Sequence, residues 1–217
     1  MPKSAEITPR FNPTDAPNHE VHPKDFRLDP SEDFGFKPYS DFHPESDGVD
    51  IYRLEQRERV VNGLGITASR IVQVGTLHDS GGLHPADHMF THPDIRSKPD
   101  KSTPYVSFAT DPDFIVRKLI LGLGWGLKDG SDSVVVKARV QPDRILAPGG
   151  GKQSEVLLVG GVSPEEYERT YEIDDFVRNH IDPTESVVTA KVGEVKPEEA
   201  IKRWRLQAKT SSQADKR

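Results

Sequence analysis

Four polar residues have types and spacing suited to chemistry: Arg53, Ser107, Gln153 and Glu155. Arg53 lies in Ile51-Tyr52-Arg53, and Ser107 in Tyr105-Val106-Ser107-Phe108-Ala109-Thr110. Gln153 and Glu155 open the run Gln153-Ser154-Glu155-Val156-Leu157-Leu158-Val159-Gly160-Gly161-Val162. A guanidinium is a rigid fork of donors that suits phosphate and polyol oxygens. A serine hydroxyl both donates and accepts. A carboxylate stabilises positive charge developing at a reacting carbon. Residues two apart on a strand face the same side, so Gln153 and Glu155 would look into one cleft. Each piece alone also has an ordinary reading: Arg53 as a surface arginine, Ser107 as a small strand residue, Glu155 as an edge charge.

A second cluster consists of histidines. His84, His88 and His92 recur every four residues, with His78 and Asp87 nearby. Pro85 would start a helix and Pro93 end it, so His88 and His92 would share a face at zinc-binding spacing. The glutamate of a zinc-protease motif is missing, which leaves a metal-dependent hydrolase as a distant reading. Two glycine runs are not phosphate loops. Gly149-Gly150-Gly151-Lys152 is followed by Gln153 and lacks the first glycine of the longer pattern. Gly122-Leu123-Gly124-Trp125-Gly126 ends a helix instead of joining a strand to one.

The elements that must position these residues follow from patterning. Met1 to Asp47 is dense in proline and reads as an extended or disordered arm, with Phe26, Phe34, Phe36, Tyr39 and Phe42 available to pin it to the domain or to a partner. Val49–Leu54, Thr103–Ala109, Ser133–Val140 and Ser154–Val159 read as strands, and Arg169–Ile173 as a last one. Asp111-Pro112 reads as an N-cap with proline at the first helical position, opening a helix with Phe114, Ile115, Leu119, Ile120 and Leu123 on its apolar face. Ser163-Pro164 opens a short helical turn. Pro197–Lys209 reads as an amphipathic helix with Ile201, Trp204 and Leu206 inward, and the end from Thr210 as disordered. The division expected is an arm over 1–47, a domain over 48–182, and a C-terminal extension over 183–217.

The order and spacing of Arg53, Ser107 and the Gln-x-Glu pair before an apolar strand and Gly160-Gly161-Val162 resemble the arginine–serine–glutamate branch of the ADP-ribosyltransferase superfamily, which includes cholera-toxin-like and pierisin-like toxins. The resemblance covers roughly Val49 to Ile173. It implies an α+β fold with a split, mostly antiparallel β core and flanking helices, pinching NAD as substrate in a central cleft. It implies Glu155, Arg53, Ser107 and Gln153 as catalytic residues. It implies Arg53, Tyr52, His88, Ser107 and Phe108 as NAD contacts, with His84 the second candidate beside His88. The activity implied is transfer of ADP-ribose to a macromolecule with release of nicotinamide. Where the family often has Ser-Thr-Ser, this chain has Ser107-Phe108-Ala109. Gln153 stands where arginine-modifying members carry a second glutamate, which argues against arginine as acceptor. NAD hydrolysis on the same fold and a catalytically inactive interaction module remain as alternatives.

Composition bounds the partners. The 217 residues are 34% hydrophobic and 29% charged, with a formal net charge of -6. An acidic chain gains little from counterion release, so a protein acceptor is favoured over nucleic acid. With no cysteine there is no thiolate nucleophile, disulfide or cysteine-bound zinc, and no metal is expected. No apolar run is long enough to span a membrane, and the N-terminus lacks a signal-peptide core. A cytoplasmic location, or export without a conventional signal peptide, is the expectation for such a toxin-like effector, together with an immunity or regulatory partner.

Overall fold

The computed structural model of the protein describes residues 36–63, 65–68, 85, 88, 103–120, 132–148, 154–181, 187–189 and 193–214. Its centre is a seven-stranded sheet in the order β1-β6-β7-β4-β2-β5-β9. The strands are β1 (Lys37–Pro38), β2 (Val49–Gln56), β4 (Tyr105–Ala109), β5 (Ser133–Val140), β6 (Ile145–Ala147), β7 (Glu155–Val159) and β9 (Tyr167–Glu172). Every pairing in it is antiparallel. Two short ladders stand apart, β3 (Ile66–Thr67) with β8 (Gly161–Val162) and β10 (Val187–Thr189) with β11 (Gly193–Val195). Among the described residues, helices α1 (Arg57–Val61), α2 (Pro112–Ile120), α3 (Ile173–His180) and α4 (Pro197–Ala214) join the sheet in an α+β architecture, and Pro85 and His88 are also helical.

The sheet is joined unevenly. β2 pairs with β5 along its whole length, from Val49↔Val140 to Gln56↔Ser133. With β4 it shares a single register pair, Tyr52↔Ala109. The sheet therefore has a seam, with β1-β6-β7-β4 on one side and β2-β5-β9 on the other. Along β2 and β5, alternate residues go to opposite faces. Tyr52, Leu54 and Val135 face Ile115 of α2, Phe176 of α3 and Trp204 of α4. Ile51, Val134 and Val136 face the other way, with Phe108, Ile66 and Val162.

Segments that composition sets apart are tied into the fold, as the arm's aromatics allow. The arm assigned to 1–47 ends inside the fold: β1 pairs with β6, Phe36 is buried against Tyr105 and Leu157, and Tyr39 and Phe42 pack on the core. The C-terminal extension assigned to 183–217 is likewise part of the core, because Val195, Ala200, Ile201 and Trp204 join the helix-side cluster. Its helix continues through Thr210 to Ala214. Ile173 opens α3 instead of closing a strand, since Ile173, Phe176 and Val177 lie on one helical face and are buried there. The arm over 1–35, Leu123 and the glycine run Gly122–Gly126 lie outside the described residues.

Arg57 ties three elements at the sheet edge. Its guanidinium grips Glu172 at the end of β9 through two bonds of 2.5 and 2.6 Å, and Asp132 before β5 at 2.6 Å. That grip holds the Glu172 carboxyl below its ordinary pKa. A lowered carboxyl pKa stabilises the fold above the unfolded glutamate value, and the contribution fades as pH falls through the folded value. Both side chains are more than a third exposed, so solvent screens the gain. Arg57→Ala should cost about 1 kcal/mol or less at pH 7. Urea denaturation at pH 7 and pH 3 should show that difference shrinking at the lower pH.

Candidate active site

Thr103, Tyr105 and Ser107 alternate along β4 and its entry, so their side chains share one face. His88 lies across that face and is buried, 3% exposed. Its Nδ1 is 2.5 Å from Thr103 Oγ1 and its Nε2 is 3.2 Å from Ser107 Oγ. Its ring meets Tyr105 edge-on at 6.0 Å. The Thr103 hydroxyl hydrogen is directed at the Tyr105 carbonyl, 3.4 Å away. In the tautomer with the proton on Nδ1, Thr103 Oγ1 accepts from Nδ1–H and Nε2 accepts from the Ser107 hydroxyl. Ser107 is thereby held in one orientation. A hydroxyl stands behind His88 where a carboxylate would be needed to activate a serine nucleophile, so Ser107 is arranged for hydrogen bonding.

The register across β4 and β7 brings in the glutamate. Ala109↔Glu155 and Ser107↔Leu157 are direct pairs, so Glu155 and Ser107 lie on the same face of adjacent strands. Glu155 is the first residue of β7 and stays partly open, with its side chain 19% exposed. Its Oε2 is 3.7 Å from Lys118 Nζ on α2.

Arg53 enters through the seam. It pairs with Val136 on β5, and on the β4 side no ladder covers it. There its Nη1 donates to the Ser107 carbonyl at 2.6 Å. The side chain thus satisfies a strand carbonyl that a continuous β2–β4 ladder would have paired. Its Nε is 3.5 Å from Glu55 Oε2, and its Cζ lies 5.8 Å from the Phe108 ring centroid. Burial lowers the Arg53 pKa from the ordinary arginine value, and the charges of Glu55 and Glu155 oppose that fall. Ser107 and Glu155 thus share one face of β4 and β7, with His88 against Ser107, while Arg53, seated over Phe108 on the other face, reaches the Ser107 carbonyl at the seam.

Comparison with known proteins gives no match among family models, curated proteins or solved structures. The site therefore rests on its own geometry.

Two expected NAD contacts, Phe108 and Tyr52, are core residues. Phe108 is fully buried on the opposite face from Ser107, where it supports Arg53 from below. Tyr52 lies in the helix-side core, its ring 5.7 Å from both Phe176 and His180, and burial raises its pKa. Gln153, His78, His84, Asp87, His92 and the loop Gly149–Lys152 lie outside the described residues. Among the described residues no group of three or more potential metal ligands is found.

The motif reading missed three residues: Glu55, Thr103 and Lys118. Glu55 was within reach of it, being two residues after Arg53 and so on the same side of β2. Thr103 and Lys118 gave no such signal. A cavity of about 380 Å³ opens beside the site, lined by Tyr39, His43, Asp50, Thr110 and Arg139 among others. It does not include Arg53, Ser107 or Glu155, but Thr110 directly follows the register partner of Glu155.

Proposed function

We propose that the protein cleaves NAD at the seam and transfers ADP-ribose to a macromolecular acceptor other than arginine, releasing nicotinamide. The observation that carries this reading is the register Ala109↔Glu155, which sets the carboxylate on the same face as Ser107 while Arg53 clasps the Ser107 carbonyl. That shared face, with residues far apart in sequence, supports the reading.

The chemistry follows from the charges. The bond between the ribose C1′ and the nicotinamide nitrogen breaks, and its electron pair leaves with the neutral base. Positive charge grows on the ribose, as in glycoside cleavage. Glu155 accepts from the ribose 2′-hydroxyl and opposes that charge. The Ser107 hydroxyl, oriented by His88, hydrogen-bonds the same ribose. Arg53 gives the pyrophosphate its cation. The acceptor's lone pair then forms the new bond to C1′, and its proton passes to solvent. Water as acceptor gives NAD hydrolysis.

One observation favours a second reading, a non-catalytic interaction module. Ala109, directly opposite Glu155, has no hydroxyl to hold the carboxylate. Titration calorimetry with NAD separates the two. The wild-type protein is expected to bind NAD. Arg53→Lys, which keeps the charge but loses the fork, should weaken binding about tenfold or more. Absence of wild-type binding at millimolar NAD would support the module.

A further inference from the structure

The missing hydroxyl at Ala109 leaves Glu155 in need of another support, and α2 supplies one. Asp111 and Lys118 are seven residues apart, two helical turns, so both lie along the stripe of α2 that meets the start of β7. Asp111 caps the helix, its Oδ1 accepting from the Asp113 amide at 2.9 Å. Its other oxygen, Oδ2, accepts from the Ser154 hydroxyl at 3.2 Å. The Thr110 amide donates to the Ser154 carbonyl at 2.9 Å. The residue before Glu155 is thus stapled to the first turn of α2. Two turns on, the Lys118 ammonium lies over the Phe114 ring at 4.9 Å and meets Glu155 Oε2 at 3.7 Å. Phe114 in turn packs against the helix-side core, which fixes the platform under the ammonium.

We infer that Lys118 is a positioning residue for Glu155, holding one carboxylate oxygen so that the other is turned toward the substrate. The inference rests on the function proposed above for its catalytic consequence, but the contact itself does not. Lys118 engages Oε2 and leaves Oε1, among the described residues, to accept from the ribose hydroxyl. At 3.7 Å and with both groups part-exposed, the pair is an ion pair without a hydrogen bond. The helix thereby does what a hydroxyl on the neighbouring strand position would otherwise do.

Lys118→Met and Lys118→Arg test this in the full chain. Nicotinamide release by Lys118→Met should lose about ten- to a hundredfold in kcat, with KM for NAD within about threefold of wild type. Lys118→Arg should recover most of kcat, because it restores a cation over Phe114. Thermal melting of each variant registers any loss of fold. A second measurement needs no turnover: the Glu155 carboxyl-carbon resonance in glutamate-labelled protein, assigned by its disappearance in Glu155→Gln. It should move in Lys118→Met and stay near its wild-type position in Lys118→Arg. An unmoved resonance in Lys118→Met overturns the inference. So does a loss that falls on KM with kcat intact, or an arginine variant as poor as the methionine one. A wild-type protein that releases no nicotinamide overturns the NAD reading, and the resonance then decides the Lys118 contact separately.

Discussion

Glu155→Gln is expected to slow nicotinamide release from NAD by about 10²–10³-fold. The substitution keeps the shape and the hydrogen-bonding reach of the side chain and removes only its charge. If that charge acts on the cation formed as nicotinamide departs, the loss falls on kcat, and KM stays within about threefold of wild type. Glu155 is suited to this experiment because it begins β7 and remains partly open, while the next four residues, Val156 to Val159, are buried. A folding defect is therefore a small contribution. Steady-state nicotinamide release by both proteins decides the point. A variant with wild-type kcat would remove Glu155 from the chemistry.

Gly161→Ala should lower stability by about 3 kcal/mol or more, seen as a fall in Tm of about 6–12 °C. Two physical reasons combine. Gly161 has φ +113°, a conformation that side-chain-bearing residues rarely adopt. A Cβ there would also meet the Ile66 carbonyl oxygen at 1.9 Å, and backbone cannot swing away as a flexible side chain does. The site matters because β7 turns here into β8. The Gly160 amide donates to the Pro104 carbonyl at 2.8 Å and the Ala68 amide to the Gly160 carbonyl at 2.9 Å. The Gly161 carbonyl accepts from buried Arg144 at 2.8 Å, and Arg144 is ion-paired with Glu166. Distortion at Gly161 is thus passed to the end of the strand that Glu155 begins. Calorimetric melting checks the prediction, and an unchanged Tm would contradict it.

The strands that bear the motif were readable because each is short, apolar and alternating. β2, β4, β5 and β7 fall within a few residues of the expected segments, and Asp111-Pro112 marked the start of α2 correctly. β6 was missed because it has only three residues and follows a short helical turn at Pro142–Arg144. β3 and β8 have two residues each, too few for any pattern. α3 did carry a signal, Ile173, Phe176 and Val177 at helical spacing, but the preceding strand ran into it without a break. Arm and tail were set outside the core because their composition is polar. Single residues such as Phe36 and Trp204, set in polar sequence, nevertheless bury fully enough to dock them.

For the site, sequence supplied the residues and the sheet supplied their relation. Alternation along one strand predicts which neighbours share a face, so Ser107 and Tyr105 were readable together. That Glu155 stands opposite Ala109 depends on which strands pair, and β4 and β7 are separated in sequence by β5 and β6. Lys118 depends on one more layer, the seating of α2 against the start of β7, and no local pattern encodes that. Phe108 is the converse case. It is adjacent to Ser107 in sequence, and adjacency in a strand means opposite faces.

Nicotinamide release from NAD by the purified wild-type protein decides between NAD cleavage and a binding role. Nicotinamide should accumulate with time and protein concentration, with ADP-ribose appearing either free or on an added acceptor. No release, with and without cell extract as a source of acceptors, would contradict NAD cleavage and leave the seam as a binding surface.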